Sequence, residues 1–335
     1  MSPLLSIVIP TRNRPLAVMR LLRSLCAQTL AAEAFEVIVV DDGSDPPLQI
    51  DAAVGGFHFP LRIVRRTADH GAHAARAAGL GATAGSRVLF LDDDVVADPA
   101  TVAAHAAPDL ADRVALGRTL YPVQLNSSPF YRYMAAFYAR CDVRIHEKRG
   151  QFELGEYYVC NSSGPRELIR RAFDDVAAKF AQPMVGGEFD ESLLALALAA
   201  RSVVPALAPQ ALLWHVDTKT LSQARAECLN SGQASGRMLL ENRFPEGTRH
   251  LGGAISGTSP ISVLRRAAMR CFWSAPAPLL RVADVLALLA ERGPRRLVPH
   301  WACHLPVRLA RWEGMRRVIP SFDRLLRLID ARPGS

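Results

Sequence analysis

The chain has 335 residues, of which 50% are hydrophobic and 21% are charged, and its formal net charge is +8. This length is enough for one large domain or two, and the composition is that of a globular protein and excludes a disordered one. Since no apolar run approaches the roughly 18 residues that cross a bilayer, the sequence also predicts no membrane-spanning helix.

The cysteines and the first residues of the chain indicate a cellular compartment. Six cysteines are scattered along the sequence, and none forms a CxxC pair. This spacing argues against a zinc site and a disulfide framework, and it is typical of proteins in a reducing cytoplasm. The first residues lack the basic start, long apolar stretch and cleavage site of a signal peptide. We therefore expect a cytoplasmic location.

The first two predicted strands both end in polar residues. Leu4 to Ile9 predicts a buried strand that ends in Pro10-Thr11-Arg12-Asn13-Arg14. A helix is expected to begin at Pro15, because proline suits the first helical position and apolar residues recur after it at helical spacing. Phe35 to Val40 predicts a second strand, which ends in Asp41-Asp42-Gly43-Ser44. Taken alone, this last run would predict a plain turn.

The next elements lead to a run of carboxylates. Leu61 to Val64 predicts a third strand, and the alanine-rich stretch Gly71 to Ala84, which carries Arg76, predicts a helix. Arg87 to Leu91 predicts a fourth strand that ends in Asp92-Asp93-Asp94. Three like charges in a row are costly unless they are solvated or surround a cation. Their position, where a buried strand would emerge from a sheet, favours the cation.

The alternation of these elements predicts an α/β protein with a mainly parallel sheet and helices on both faces. In such sheets, ligands bind beyond the carboxyl ends of the strands. Three polar clusters, at residues 10–14, 41–44 and 92–94, lie at those ends. We therefore expect them to form one ligand site.

The same segments, in this order and spacing, resemble the opening of a family 2 glycosyltransferase. The resemblance rests on Ser6 to Arg14, Val39 to Ser44, Gly71 to Arg76 and Phe90 to Asp94. It implies the GT-A fold, in which a Rossmann-like nucleotide-binding half is joined to an acceptor half. It also implies transfer of a sugar from a nucleotide-diphosphate donor with inversion, using Mn²⁺ or Mg²⁺.

The resemblance also implies roles for residues of the three clusters. The nucleoside pocket would be lined by Pro10, Thr11 and Arg12. Asp42, together with Asp41, would accept hydrogen bonds from the base or ribose. Arg76 would approach the base or the diphosphate, although it is followed by Ala77, where the family often has asparagine.

A metal site is expected at the aspartate run. Asp92 and Asp94 match the DxD motif of the family, and Asp94 is our choice for the direct metal ligand. Asp93 would belong to the same donor-binding cluster and face away from the metal. His215 ends the apolar stretch that starts at Pro205, and it is a third candidate ligand. Neutral imidazole binds Mn²⁺ more readily than Mg²⁺, so a functional histidine would favour manganese.

The catalytic base is expected in the acidic segment Gly186-Gly187-Glu188-Phe189-Asp190-Glu191. This segment resembles the Gly-Glu-Asp segment of the family, whose carboxylate deprotonates the acceptor hydroxyl, but Phe189 interrupts the pair. Either Glu188 with Asp190, or Asp190 with Glu191, could be equivalent to it. Asp190 belongs to both pairs and is our choice for the base. The alternative is that these carboxylates occupy the first turn of a helix and interact with its dipole.

The rest of the chain is predicted to be helical. Leu221 to Glu241 predicts a helix that is interrupted at Asn230-Ser231-Gly232, and Gly247 to Pro260 predicts a linker. Two or three helices are expected after Ile261. We divide the chain into a nucleotide-sugar-binding half (1–116), an acceptor-binding and catalytic-base half (117–220) and a helical, arginine-rich region (221–335).

The positive charge is concentrated in this last region. Residues 260–335 contain fourteen arginines, no lysine and five carboxylates, a balance of +9. The basic residues lie outside any recognisable nucleic-acid-binding module, which argues against nucleic acid as a partner. We expect the region either to pack against the catalytic domain, or to contact a partner or the inner face of a membrane.

Two other functions compete with glycosyl transfer to an acceptor hydroxyl. A nucleotidyltransferase acting on a sugar phosphate would need a glycine-rich, lysine-bearing loop after the first strand, where this chain has Pro10-Thr11-Arg12-Asn13. A non-catalytic nucleotide-sugar-binding protein is favoured only by the irregular segment at Glu188 to Glu191. The sequence does not identify the donor sugar, nor whether the acceptor is a glycan, a lipid-linked molecule or a small molecule.

Overall fold

The computed structural model describes residues 2–50, 56–67, 71–122, 128–147, 158–179, 189–216, 220–241, 260–292 and 299–330. The chain divides into two compact units. The first, which we call the sheet unit, comprises Met1–Val123, Phe137–Met184 and Leu193–Asp217. The second, the helical unit, comprises Gln124–Ala136, Val185–Ser192 and Thr218–Ser335.

The described strands of the sheet unit form one eight-stranded sheet. In chain order they are β1 Leu5–Thr11, β2 Phe35–Asp42, β3 Leu61–Arg66, β4 Arg87–Phe90, β5 Val95–Ala97, β6 Ala115–Leu120, β7 Ser162–Pro165 and β8 Ala206–His215. Their order across the sheet is β3-β2-β1-β4-β7-β6-β8-β5. Strands β3, β2, β1 and β4 are parallel, as predicted, whereas β7 runs antiparallel to both β4 and β6.

Helices cover both faces of the parallel strands, which confirms the predicted α/β architecture. In chain order, the helices wholly or partly in this unit are α1 Pro15–Leu25, α2 Gly71–Gly81, α3 Thr101–His105, α4 Pro129–Glu147, α5 Arg166–Lys179 and α6 Phe189–Ala200. The buried side of α1 packs with Ile7 and Ile9 of β1. Helix α2 packs on the opposite face, where a Cβ added to Gly79 would overlap Val8 and Val40. Successive strand residues point to opposite faces, so each face of the sheet has its own helix layer.

The first two strands extend further than the apolar pattern predicts. The parallel ladder pairs Thr11 with Asp41, and Asp42 with Arg66. Polar residues therefore continue the strands instead of beginning the loops after them. The short strands β5, β6 and β7 were not predicted, because none of them is a continuous apolar run bounded by turn residues.

The helical unit contains α7 Leu221–Glu241, α8 Pro260–Ser274, α9 Pro276–Arg292, α10 His300–Val318 and α11 Phe322–Asp330. After residue 260 there are thus four described helices, rather than the two or three expected. The predicted linker, Gly247 to Pro260, lies outside the described residues except for Pro260, which begins α8. None of the described helices is, by itself, long and apolar enough to cross a membrane. By length and composition alone, the pair Val263–Ser274 and Pro276–Leu289, which is bent by 102°, meets that requirement jointly.

The predicted interruption of α7 at Asn230-Ser231-Gly232 is wrong, because the helix is continuous through these residues. Instead, the glycine allows close packing of α7 against α10. A Cβ added to Gly232 would overlap the carbonyl oxygen of Arg311, and one added to Gly314 would overlap that of Leu229. The two helix backbones therefore approach each other at a pair of glycines.

We predict that Gly232→Ala destabilises the protein by about 1–3 kcal/mol, because the added methyl group forces the two helices apart. The matched control is Gly81→Ala at the end of α2, where an added Cβ meets nothing within 4 Å. The control should leave the free energy of unfolding unchanged or raise it by at most about 1 kcal/mol. Urea unfolding followed by circular dichroism measures both. Equal stability of the two variants would contradict the close approach.

Candidate active site

The polar ends of β1 and β2 are joined by hydrogen bonds. Asn13, which has a positive φ of 55°, donates its backbone N–H to Ser44 Oγ at 2.8 Å. Its side-chain Oδ1 accepts the N–H of Asp45 at 2.8 Å. Asparagine tolerates this left-handed conformation better than most residues. The two loops are thereby held side by side at the carboxyl edge of the sheet.

Asp93 connects the aspartate run to the end of β1. Its Oδ2 accepts a 2.7 Å hydrogen bond from Thr11 Oγ1, and its Oδ1 lies 2.7 Å from Arg14 Nη1. Burial raises the pKa of Asp93 to about 6, although Arg14 and Thr11 both act to lower it. Both carboxylate oxygens are thus bound within the protein. This agrees with the hypothesis that Asp93 faces away from a metal, and it assigns the residue a positioning role.

Asp94 and His215 meet although they are far apart in sequence. Strand β5 pairs antiparallel with β8, so Val95 lies opposite His215, and the N–H of Val216 donates to the carbonyl of Asp94 at 3.1 Å. The carboxylate Oδ1 of Asp94 lies 3.6 Å from His215 Nδ1. This oxygen is buried and has no hydrogen-bond partner among the described residues.

Two tyrosines hold the imidazole of His215 in place. Tyr121 stacks on the ring, with centroids 4.9 Å apart and planes at 22°. Tyr138 presents its edge, at 5.3 Å and 69°. These contacts restrict rotation of the ring, so its Nδ1 stays directed towards Asp94.

Asp92 differs from its two neighbours in its exposure and its partner. Its side chain keeps 29% of its surface accessible, whereas those of Asp93 and Asp94 are 6% and 9% accessible. Its Oδ1 lies 2.6 Å from Nη2 of the buried Arg76, which α2 supplies. Sequence analysis proposed both residues for the site, and the structure brings them together as an ion pair.

The carboxylates at the end of β2 also have arginine partners. Asp41 accepts hydrogen bonds from the N–H groups of Ser44 and Leu48 and from Arg65 Nη1, at 2.9, 3.0 and 2.6 Å. Burial acts to raise the pKa of Asp41, but these hydrogen bonds and the charge of Arg65 outweigh it, so the pKa is lowered. Asp42 Oδ1 lies 2.9 Å from Arg66 Nε, without the alignment of a hydrogen bond. Both oxygens of Asp41 are therefore occupied by its own turn.

The residues around Asp94 fit a divalent cation. A buried carboxylate oxygen without a hydrogen-bond partner is unfavourable unless something else satisfies it, and a cation beside an imidazole would do so. No cluster of three or more histidine, cysteine or acidic side chains suited to a metal occurs in the described part of the chain. Mg²⁺ is commonly held by one or two carboxylates, with water and substrate phosphates as the other ligands. The pair formed by Asp94 and His215 matches such a site.

A pocket adjoins this pair in the sheet unit. Its wall includes Arg118, Tyr138, Asp142, Tyr158, Cys160 and Asn161. Arg118 binds Asp142 through two nitrogens, with Nη2 2.8 Å from Oδ2. Tyr138 lines this pocket and also contacts His215 and Tyr158, so the pocket shares this side chain with the surroundings of Asp94. It therefore combines tyrosine rings with a fixed pair of charged groups.

A buried polar network supports the strands beneath the site. His105 is fully buried, with Nδ1 2.8 Å from Ser163 Oγ and Nε2 2.9 Å from Asn161 Oδ1. Arg87 donates to the same Ser163 hydroxyl from Nε and Nη2. These partners assign a neutral His105 with its proton on Nε2, since the serine hydroxyl then donates to Nδ1. The N–H of Asn161 in turn donates to the carbonyl of Phe90 at 2.8 Å, at the end of β4.

The predicted nucleoside and base residues have different outcomes. Pro10 pairs with Val40 inside the sheet, and Arg12 is exposed just beyond β1. Glu188 lies outside the described residues. The backbones of Asp190 and Glu191 lie in the first turn of α6, and their side chains are outside the described part. The role of base therefore stays a prediction.

Sequence analysis gave no role to Arg65 and Arg66, and it placed Arg14 in the first polar cluster without a role of its own. The two arginines of β3 could have been found, because they lie at the carboxyl end of a predicted strand like the three clusters that were used. Tyr121 and Tyr138 belong to the aromatic-rich residues 117–160, whose rings suit sugar stacking or, more commonly, core packing. Their proximity to His215 depends on the packing of remote segments.

Comparison with known proteins identifies the family of this architecture. The model of Glycosyl transferase family 2 matches residues 6–175, just over half of the chain. A glycosyltransferase of Haemophilus influenzae, itself uncharacterised, is 38% identical over 91 residues, which are 27% of this chain and 29% of that protein. Validoxylamine A glucosyltransferase of Streptomyces hygroscopicus subsp. jinggangensis is 38% identical over 122 residues, which are 34% of this chain and 28% of that protein. The matches thus span less than a third of either relative.

The fold is shared with solved structures over nearly the whole chain. A mannosyltransferase from Pyrobaculum calidifontis, in complex with GDP-Man and Mn²⁺, aligns with a TM-score of 0.56 at 18% identity. The alignment covers 95% of this chain and 88% of the other. This likeness confirms the predicted GT-A fold.

The buried network predicts a dependence of stability on pH. Burial lowers the pKa of His105 from 6.5 to about 4, and Arg87 adds to this, while the hydrogen bond with Asn161 opposes it. As the pH falls below 6.5, His105 becomes protonated in the unfolded state, whereas in the folded state it stays neutral down to about pH 4. The contribution of His105 is therefore complete above pH 6.5, and up to about 3 kcal/mol is lost as the pH falls to 4.

The test compares the wild type with His105→Gln by urea unfolding at several pH values between 7 and 4. The variant should be less stable at pH 7, and its free energy of unfolding should fall less steeply with decreasing pH. Comparing the two slopes isolates His105 from other groups that titrate in this range, among them His73, whose pKa burial also lowers to about 4. Parallel pH profiles would show that His105 does not titrate as described.

Proposed function

The chain belongs to the family 2 glycosyl transferases, and on that premise we propose that it transfers a sugar from a nucleotide-diphosphate donor to an acceptor hydroxyl. We propose further that transfer inverts the anomeric configuration and depends on Mn²⁺ or Mg²⁺. The family assigns glycosyl transfer to the chain. The mechanism, the metal and the substrates are our proposal.

One observation carries this proposal. The Oδ1 atom of Asp94 is buried, has no hydrogen-bond partner among the described residues, and lies 3.6 Å from the nitrogen of a fixed imidazole. Binding a cation would satisfy this buried oxygen. A carboxylate that only shapes a turn has its oxygens occupied by N–H groups, as those of Asp41 are. The site also lies at the strand ends, where ligands of parallel sheets bind.

The proposed cation would be held by Asp94 and His215, with Asp92 as the remaining carboxylate of the motif. When bound, a divalent cation stabilises the negative charge that develops on a leaving diphosphate. The ion pair between Arg76 and Asp92 holds both side chains at the same edge, and we assign to Arg76 the approach to the base or the diphosphate. Mn²⁺ is the metal we favour, because an imidazole accompanies the carboxylate.

The donor would extend over the ends of β1 and β2. We assign the nucleoside pocket to Pro10, Thr11, Arg12, Asp41 and Asp42. Since both oxygens of Asp41 are bound within its turn, Asp42 is the better candidate to accept hydrogen bonds from the base or ribose. The GDP-Man and Mn²⁺ bound to the Pyrobaculum enzyme illustrate a donor and metal on this fold.

The chemical step would be a single displacement. The acceptor oxygen attacks the anomeric carbon of the donor, a new C–O bond forms, and the bond to the diphosphate oxygen breaks. Asp190 accepts the proton of the acceptor hydroxyl, and the nucleoside diphosphate leaves with the electron pair of the broken bond. Glu188 and Glu191 are the alternative bases. Tyr138, which contacts His215, offers a ring for stacking on an acceptor sugar.

We predict that Asp94→Asn abolishes donor binding that depends on Mn²⁺. In a thermal-shift screen with UDP-, GDP- and dTDP-sugars, the wild type should be stabilised by one nucleotide class only when Mn²⁺ is present. Ligand at a hundredfold excess over Kd stabilises the folded state by about 2.7 kcal/mol. The matched control is Asp109→Asn, which removes one charge from an exposed turn and should respond like the wild type. A metal-dependent shift that survives in Asp94→Asn would sink the proposed metal site.

We predict that Asp190→Asn lowers the rate of transfer at least about 100-fold, since general base catalysis contributes about 10²–10⁴-fold. Donor binding in the thermal-shift assay should be unchanged, because the base contacts the acceptor. Release of nucleoside diphosphate in the presence of a panel of sugar acceptors measures the rate. Glu188→Gln and Glu191→Gln serve as comparison variants. If Asp190→Asn keeps its activity while Glu188→Gln or Glu191→Gln loses it, the base is the glutamate whose substitution abolishes activity, and the assignment to Asp190 is wrong.

A further inference from the structure

Large apolar side chains are exposed mainly on one part of the helical unit. Of the twelve such side chains exposed in the described part of the protein, seven lie between residues 263 and 301. They are Val263, Leu264, Val282, Val285, Leu288, Leu289 and Trp301, each 48–70% exposed. Single exposed apolar residues are ordinary, but a concentration of them marks a surface that binds something.

On α9 these residues form one stripe. Val282, Val285, Leu288 and Leu289 are exposed and recur at helical spacing, so they lie on one face, which also carries Pro278 and Arg281. The opposite face is buried through Ala283, Leu286 and Ala287. The helix therefore has two apolar faces, and only one of them packs against the protein's own core. In the described part of the chain, the other face is exposed.

Helix α8, which is separated from α9 by one residue, also exposes apolar side chains. Val263, Leu264, Ala267 and Ala268 are exposed, while Met269, Phe272 and Trp273 on its other side belong to the core of the helical unit. Residues Val263–Ser274 and Pro276–Leu289 together have the apolar length of a membrane span, but they are bent by 102°. This bend suits two helices lying along a surface. We call the exposed faces of α8 and α9 together the apolar surface.

Arginines accompany the apolar surface. Arg265 and Arg270 on α8, and Arg281 on α9, are exposed. Arg308 of α10 is half-buried, and burial lowers its pKa, as do the positive charges of Arg265 and Arg311. Of the carboxylates in this region, Glu313 binds Arg316 and Arg317 of its own helix, Asp284 binds Arg225, and Asp323 binds Arg270. After all five carboxylates are counted, residues 260–335 still carry a net charge of +9.

We propose that the apolar surface binds an anionic lipid bilayer, with the valine and leucine stripe entering the boundary between head groups and acyl chains. The arginines beside it would contact lipid phosphates. A symmetric contact with a second copy of the chain would place two copies of the same positively charged surface against each other, and like charges would oppose it. An anionic bilayer has an apolar layer directly below negatively charged head groups, so it matches both the apolar stripe and the arginines beside it. This inference does not depend on the proposed chemistry of the sheet unit.

The test is flotation of the full chain with vesicles. The wild type should float with vesicles of 70% phosphatidylcholine and 30% phosphatidylglycerol, and much less with phosphatidylcholine alone. Val285→Glu should lower the partition coefficient at least about tenfold, because it introduces a charge into the stripe. The matched control is Val204→Glu, since Val204 is 65% exposed in the sheet unit. It should bind vesicles within about twofold of the wild type.

The contribution of charge is tested separately. Arg281→Ala should weaken binding to the anionic vesicles about fivefold, since each basic residue near such a surface contributes about 1 kcal/mol. Its binding should also depend less on salt concentration than that of the wild type. Arg20→Ala, at an exposed position of α1, is its control. Equal binding to neutral and anionic vesicles, or unchanged binding by Val285→Glu, would overturn the proposal. So would gel filtration showing a dimer that Val285→Glu converts to a monomer, because a second copy would then cover the surface.

Discussion

The buried carboxylate of Asp93 is the interaction on which the candidate site depends. It accepts a hydrogen bond from Thr11 and pairs with Arg14, so the turn after β4 is attached to the end of β1. The middle residue of the aspartate run is thereby used for structure, and its two neighbours are left to other partners. Placing three carboxylates together is tolerable because each has a basic partner. Asp92 faces Arg76, and Asp94 lies between His215 and the same Arg14, whose Nη1 is 3.5 Å from its Oδ2.

The other half of the site depends on strand pairing over a long distance in sequence. Strand β8 returns His215 to the residue that follows Asp94, and Tyr121 and Tyr138 then hold its ring. Below them, the neutral imidazole of His105 bonds to Ser163 and Asn161, and Arg87 of β4 donates to the same Ser163 hydroxyl, which attaches β7 to β4. A buried network of this kind stabilises a fold only when all its members are satisfied. The candidate cation site therefore rests on a scaffold of buried hydrogen bonds.

The two units of the chain differ in their surface chemistry. The sheet unit places its charged residues in specific pairs at one edge of the sheet, as a site for a charged ligand requires. The helical unit has tight glycine-mediated packing between α7 and α10, and it also exposes valines, leucines and arginines on α8 and α9. Specific pairing suits recognition of one molecule, whereas an apolar stripe with unbalanced positive charge suits an extended surface.

The sequence by itself determined the elements that rest on local patterns. The strands β1, β2 and β4, apart from their exact ends, and the helix beginning at Pro15 follow from runs and spacings of neighbouring residues, and so does the family resemblance. Only the tertiary structure decided which side chains meet. Asp93 pairs with Arg14, and Asp94 lies beside His215. Strand β7 pairs antiparallel with β4, and Gly232 allows close helix packing where an interruption was expected. Periodicity is a property of adjacent residues, whereas the partner of a buried charge or a glycine is chosen by strands and helices that are remote in the chain.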